Sequence, residues 1–488
     1  MNYLEIKSHY RNTQLLEDSL STLYFDKETI LPEKGHELRG EQLAYLAGHH
    51  HSLVTDKEFV DSVFSYSDFQ SDLEKKQISK IKKSLSRTLA FDKRFVEKET
   101  RVVAACHEKW KKARRENDFS IVSNNLKEVL ELKKTSVQKL KEAASSKEFF
   151  QDMGAYDILF DEYEPGFSSE KVLIILHDLC TKTSAILPEL LKKNAPQKAI
   201  PLAMPKFEQK KVNKKILTDL GFDFSKGMLS ESTHPFCGGS PCDVRLTTRY
   251  VENDALNSLF SCIHECGHGI YEQNLPEELT HTPCGRAASL GVHESQSRFY
   301  ENFIGRSMAF SKYLSKIYTQ SPEDIYAQLN SVQMNFIRVD ADEVTYNLHI
   351  YLRSRIEKEL IEGLLSVDDL PERWKVLFME LFGVAPESVS QGCLQDTHWF
   401  GGAIGYFPTY SLGNLIAAEI FSDFKTQFPN WENNVEAGDF TFIKEYLSEK
   451  VHKHACLYSS PETISKIIGG KEISSDTFFN YVNEKYLA

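Results

Sequence analysis

Apolar residues recur at helical spacing along most of the chain. In residues 71–117, Ile78, Ile81, Leu85 and Leu89 fall three and four positions apart, which places them on one face of a helix. The rest of that stretch is highly charged and contains neither Gly nor Pro. Residues 124–144 repeat the pattern. Residues 1–217 therefore read as mainly helical, with long charged helices able to pair as a hairpin or coiled coil. A solvated outer layer is the simpler reading of them. The pattern breaks over 218–250, which is rich in Gly, Ser, Pro and Thr. Residues 243–250 alternate and end in β-formers, so they read as a strand. The turn sequence Gly238-Gly239-Ser240-Pro241 before them predicts a hairpin. Helical spacing returns from about Asn253, with 292–310 a further helix-like stretch. Pro371, Pro386 and Pro408 punctuate the remainder.

There is no internal repeat, low-complexity tract or linker. A single domain over 1–488 is expected, in three sections: 1–217 as a helical outer layer or groove wall, 218–250 as a small β region, and 251–488 as the helical part with the chemistry. Hydrophobic residues make up 41% and charged residues 26%, so disorder and a small disulfide scaffold are excluded. Lys and Arg total 58 against 70 Asp and Glu, a net charge of −12. Such a chain lacks the electrostatic footprint of a nucleic-acid or anionic-membrane binder. Nine Cys without a C-x-x-C pair fit reduced thiols. The N-terminus has no apolar leader, and no apolar run approaches the roughly 20 residues of a membrane span. The expectation is a cytoplasmic protein.

The strongest chemical signal is His264-Glu265-Cys266-Gly267-His268. Leu256, Leu259, Phe260 and Ile263 give this segment a helical apolar face. Positions i and i+4 project from the same side of a helix, so both imidazoles can reach one Zn2+. Glu265, turned by about 100° on the same helix, can then act on water at the metal. The competing reading is two buried histidines with ordinary hydrogen bonds. A zinc site needs a third protein ligand. Tyr271 and Asn274 stand where the extended metalloprotease motif would have Gly and His, which excludes that class. Glu294, 26 residues beyond His268, is the leading candidate. Glu272, His281, His293 and Glu301 remain open. Cys262 and Cys266 read as core.

With these residues in view, the sequence resembles the carboxypeptidase Taq family of zinc metallocarboxypeptidases. The resemblance rests on six ordered motifs. They are His234-Pro235-Phe236, Asp243-Val244-Arg245-Leu246-Thr247, the His264–His268 box, His293-Glu294-Ser295-Gln296, the segment 337–342, and the segment from Gly392 to Trp399 that runs on to Tyr410. Residues 24–32 and 163–166 also match, except that Phe25 stands where Trp is expected. The resemblance implies zinc held by His264, His268 and Glu294, with Glu265 as general base and acid. It implies release of single C-terminal residues from peptides with a free C-terminus, with broad tolerance. It also implies a mainly α, groove-containing metallopeptidase fold similar to neurolysin and angiotensin-converting enzyme, with one small β-sheet near the active site, and a homodimer. A His2Glu site accepts several divalent ions, Co2+ among them.

The other motif residues can be weighed by their chemistry. Asp243, Arg245 and Thr247 share one strand face. They can serve a substrate strand paired by main-chain bonds, or they can merely knit the strand to its neighbours. His234, fixed in extended backbone before Pro235, can donate to a substrate carbonyl, or it can be a capping or core histidine. His398, Tyr406 and Tyr410 are uncharged donors suited to an oxyanion. The sequence does not choose between the tyrosines, and the expectation favours Tyr410. Arg338 is the first choice for a terminal carboxylate, followed by Arg245, with Arg353 and Arg355 outside the motifs. Ion pairing of Arg338 with Asp340 or Asp342 is the alternative. Two rival functions stand beside the carboxypeptidase: a zinc oligopeptidase cutting internal bonds, and a non-catalytic helical peptide-binding protein.

Overall fold

Side-chain caps account for many of the helix starts. Asn2 and Glu5 form a capping box that opens α1 (Tyr3–Thr29), and α2 (His36–Val54) folds back along it. Asp56 caps α3 (Lys57–Ser65) and Ser71 caps α4 (Asp72–Leu89). The charged stretch that lacks Gly and Pro nevertheless divides at 90–92. There the Asp92 carboxylate takes the Phe95 N–H and starts α5 (Lys93–Glu116). Asn117, with φ of 52°, ends α5 in the left-handed region, and α6 (Ser120–Glu142) returns along it. This is the helical hairpin that the spacing allows. Short helices α7 (Lys147–Phe150) and α8 (Ala155–Phe160) lead to α9 (Ser169–Lys193) and α10 (Lys206–Asp219). The computed structural model describes residues 1–196 and 202–488, so positions 197–201 of the region read as helical lie outside the described residues.

The β region is a three-stranded sheet with strands β1 (Gly227–Glu231), β2 (Cys237–Ser240) and β3 (Asp243–Thr248) in the order β1-β3-β2. The expected hairpin is β2–β3, antiparallel, with Cys237 opposite Leu246. β1 runs parallel to β3, with Gly227 opposite Val244. Val244 and Leu246 are fully buried, and β3 packs on the helix that follows.

Eleven more helices complete the described residues. They are α11 (Ala255–Gln273), α12 (Leu290–Arg298), α13 (Met308–Ser315), α14 (Pro322–Leu329), α15 (Tyr346–Ile361), α16 (Leu370–Phe382), α17 (Pro408–Gln427), α18 (Trp431–Ala437), α19 (Thr441–Lys450), α20 (Ser460–Ile467) and α21 (Asp476–Tyr486). The helix-like stretch 292–310 is thus not one helix. α12 passes into a π-helical stretch, Phe299–Ile304, and the chain breaks before Ser307 caps α13. α17 is buried almost all round, as a central helix must be. The buried residues of the main core run from Cys106 to Tyr486, while Ile6, Phe59, Val63, Ile78, Ile81 and Leu85 form a smaller core among α1, α3 and α4.

Two glycines set how closely the central helices approach. A Cβ at Gly267 of α11 would lie 2.5 Å from the Gln296 carbonyl oxygen of α12. One at Gly413 of α17 would lie 2.6 Å from Cγ of Glu294. Without side chains there, α11 and α17 close on α12 from two sides. The position of Glu294 is a consequence of that contact.

Candidate metal centre

α11 starts at Asp254, whose carboxylate accepts the Asn257 N–H, and carries His264 and His268 one turn apart. Their Nδ1 atoms are both engaged. His264 Nδ1 lies 2.8 Å from Glu301 Oε2, and His268 Nδ1 lies 3.1 Å from the His293 carbonyl oxygen. Their Nε2 atoms face Glu294 Oε2 of α12 at 3.7 and 3.4 Å. Among the described residues, one ligand atom from each of His264, His268 and Glu294 falls within 4.8 Å of the others. The four residues left open as third ligands have other places. Glu272 pairs with His293 at 2.9 Å, His281 pairs with Asp18 at 2.8 Å, and Glu301 stands behind His264.

The donor set suits a divalent cation. A ligating imidazole has its second nitrogen fixed by a carboxylate or carbonyl, and both do here. Burial would push His264 down, but the charges of Glu294 and Glu301 outweigh it and lift it to about 8, so the pocket attracts positive charge. Burial holds His268 at about 3, which keeps it a neutral donor. Burial alone would raise the Glu294 carboxyl. Arg298 and the two histidines overcome this and hold it well below the usual carboxylate range. Arg298 Nε donates to Glu294 Oε1 at 2.7 Å, and Ser297 donates to Oε2 at 3.3 Å. Arg298 also reaches Glu301 at 3.2 Å, as does Arg306.

Glu265 is 8% exposed, and its carboxyl is raised to about 7, chiefly by burial and against the pull of His264. A carboxyl poised near neutrality beside a metal cluster can both take and return a proton. Cys262 and Cys266 are fully buried core residues.

Tyr346 joins this centre to a second polar cluster. The Arg298 guanidinium lies over its ring at 4.9 Å, and Arg338 donates to its hydroxyl at 3.0 Å. Arg338 pairs with Asp396, not with Asp340 or Asp342. Asp342 is instead occupied by the N–H groups of Gln333, Val344 and Thr345. Asp396 also receives Arg353 at 2.6 Å, so two guanidinium groups share one carboxylate. Arg355 pairs with Glu359. His398 lies beside Tyr406 and Phe407, with ring centroids 5.5 and 4.5 Å away, and its buried Nδ1 has no hydrogen-bond partner. Burial lowers His398 to about 4, against the charge of Asp396, so it is neutral at pH 7. Tyr406 and Tyr410 stack edge-on at 5.2 Å, and both feel the charge of Glu294.

On β3, Arg245 grips Asp243 through two bonds of 2.9 and 2.8 Å and lies 5.2 Å above the Phe25 ring. Thr247 is fully buried, and its hydroxyl meets Ser232 and the Phe236 N–H. His234 is exposed between β1 and β2. A cavity of about 540 Å3 lies alongside, lined by Glu272 and His293, by Glu17 and Asp18 of α1, and by Gly239 to Pro241. Sequence reasoning gave Arg298 no part here and considered Glu301 only as a ligand. The signal was available: 294, 298 and 301 share one helical face. Tyr346 and Asp396 were also without assigned parts, and their partners are remote in sequence.

The profile of the carboxypeptidase Taq (M32) metallopeptidase family matches residues 5–486. Carboxypeptidase 1 of Bacillus subtilis is 34% identical, over 98% of this chain and 95% of that protein. Thermostable carboxypeptidase 1 of Pyrococcus furiosus is 32% identical, over 99% of this chain and 98% of its own. The crystal structure of the M32 carboxypeptidase of Deinococcus radiodurans superimposes with a TM-score of 0.92 at 28% identity, covering 99% of this chain and 98% of that one. The mainly helical architecture with its small sheet is the one expected. The ordered motifs, the His-His-Glu cluster and these matches agree: this chain belongs to the carboxypeptidase Taq (M32) family and is a metallocarboxypeptidase.

Proposed function

We propose that the metal is zinc, one ion per chain, held by His264, His268 and Glu294, and that the enzyme releases single residues from the free C-terminus of peptides with broad side-chain tolerance. The observation that carries this reading is the pair of Nε2 atoms turned toward one Glu294 oxygen, with both Nδ1 atoms tied back. The chemistry supplied by an ion there is Lewis-acid polarisation of a carbonyl and acidification of water. The protein's own groups do the rest. Glu265 takes the proton of the attacking water and returns it to the leaving amine. His398, Tyr406 and Tyr410 donate to the oxygen on which charge develops. His398 suits this part because it is neutral and its Nδ1 is unengaged. Arg338 receives the terminal carboxylate. With Arg353 and Asp396 it forms a buried group of net charge +1, which an anionic peptide end would neutralise. β3 is paired on both edges, by β1 and β2, so no substrate strand can add to it. Asp243, Arg245 and Thr247 brace the sheet beside the substrate path, and His234 reaches the peptide from the exposed turn.

The nine free cysteines suit a reducing cytoplasm, and no helix among the described residues is long and apolar enough to cross a membrane. We assign the protein to the cytoplasm as a homodimer of single-domain chains, acting on peptides and not on nucleic acid or membranes. The direct test of the mechanism is Glu265→Gln. Metal content should stay stoichiometric while kcat falls by roughly 100-fold or more, the range of a lost general base. Full turnover in the metal-loaded variant would remove Glu265 from the role.

A further inference from the structure

The loop between Asp396 and Tyr406 carries two of the proposed oxyanion donors, yet those donors do little to hold it. His398 Nδ1 is buried without a partner. The anchors lie one residue inward at each end. Trp399 Nε1, next to His398, donates to Glu357 Oε1 at 2.8 Å. The Gly405 N–H, next to Tyr406, donates to Glu357 Oε2 at 3.1 Å. Tyr156 of α8 adds a third bond, to Oε2 at 2.7 Å. Glu357 is fully buried on α15.

Burying a carboxylate is expensive, and an amide of the same shape would cost less. The donor set explains why a carboxylate is used. An indole N–H and a backbone N–H can only donate, and they approach different oxygens. Glutamine offers one acceptor oxygen and would turn its NH2 against one of them. Gly405 adds to the constraint. Its φ is +90°, and a Cβ there would lie 2.9 Å from the Phe160 nitrogen, so the loop is pressed onto the α8 that supplies Tyr156. One turn earlier on α15, Arg353 holds Asp396. A single face of α15 thus grips the start, the middle and the end of the donor loop.

We propose that Glu357 is a positioning residue for the reaction, a buried carboxylate that fixes the spacing of His398 and Tyr406 by bonding the residue beside each. This rests on the reading of those two side chains as oxyanion donors. Glu357 does not touch substrate, so its loss should leave peptide binding intact and disturb the geometry of the transition state.

The test compares Glu357→Gln, Trp399→Phe, His398→Ala and Tyr406→Phe in the full-length metal-loaded enzyme, with kcat and KM measured on one peptide. Trp399→Phe removes the same bond from the other side, so the test stands if one variant fails to fold. Glu357→Gln should keep its metal and hold KM within about twofold, while kcat falls roughly 100-fold, the scale of a misplaced reacting group. The double variant Glu357→Gln/Trp399→Phe should lose little more than either alone, since both break one clamp. Wild-type kcat in folded Glu357→Gln, with kcat lowered in His398→Ala or Tyr406→Phe, would overturn the clamp alone. Wild-type kcat in both donor variants would overturn the donor reading. A lower melting temperature with unchanged kcat and KM would make Glu357 merely structural.

Discussion

Glu301 shares a helical face with Arg298, and it receives His264 and Arg306 as well. Its carboxyl would be raised by burial, but Arg298 and His264 hold it well below the usual range, so it is a fixed negative charge behind the proposed ligand His264. Glu301→Gln should therefore weaken metal affinity about 10- to 100-fold with the fold intact, as loss of such a supporting partner does. Competition with a chelator of known affinity measures this, and unchanged affinity would show that His264 is oriented by its own packing. At this scale the two histidines were legible, because i and i+4 spacing on a helix is a local rule, while Glu294 led five candidates by spacing and was singled out through the family resemblance. Arg338 was not. Its nearest acids in sequence are Asp340 and Asp342, but its partner is Asp396, 58 residues away. Local spacing carries no information about a pairing made by the fold.

The helix that bears Glu294 is fixed at its start as well as along its sides. Glu164 accepts the Gly291 N–H in the first turn of α12 and the Ser460 hydroxyl of α20. Burial raises its carboxyl from 4.5 to about 7, against the pull of those donors. The folded state then binds this proton more tightly than the unfolded chain. That contribution to stability is complete below pH 4.5 and is lost as the pH rises through 7. Glutamine at this position has no proton to lose. The melting temperature of the wild type minus that of Glu164→Gln should fall between pH 5 and pH 8. A difference that stays constant across this range would contradict a protonated Glu164 at the α12 cap. Among elements, α11 is legible because Leu256, Leu259, Phe260 and Ile263 mark its face, and the β2–β3 hairpin because its turn is written in Gly, Ser and Pro. β1 is not, since Gly227–Glu231 lacks alternating burial and pairs directly with β3, from which β2 separates it in sequence. The break at 90–92 also escapes, because a capping Asp within a charged stretch resembles any other surface acid.

Across the whole molecule the site is assembled from segments far apart in sequence. α11 and α12 bring the proposed metal ligands, the stretch before α15 brings Arg338 and the first residue of α15 is Tyr346, and the loop before α17 brings His398 and Tyr406 while the first turn of α17 brings Tyr410. The β2–β3 hairpin closes one side. Composition and charge excluded classes of partner but did not place these parts, and their assembly depends on non-local packing such as the contacts at Gly267 and Gly413. In the proposed reading the +1 group of Arg338, Arg353 and Asp396 recognises one anionic peptide end, which separates an enzyme that trims C-termini from one that cuts internally. The decisive measurement is a mass-spectrometric time course on one peptide, free or amidated at its C-terminus, with and without chelator. The account predicts a ladder of single-residue losses from the free C-terminus, little cleavage of the amide, complete arrest by chelator and recovery with zinc. Internal cuts made equally in both peptides would contradict it, and so would trimming that persists in chelator.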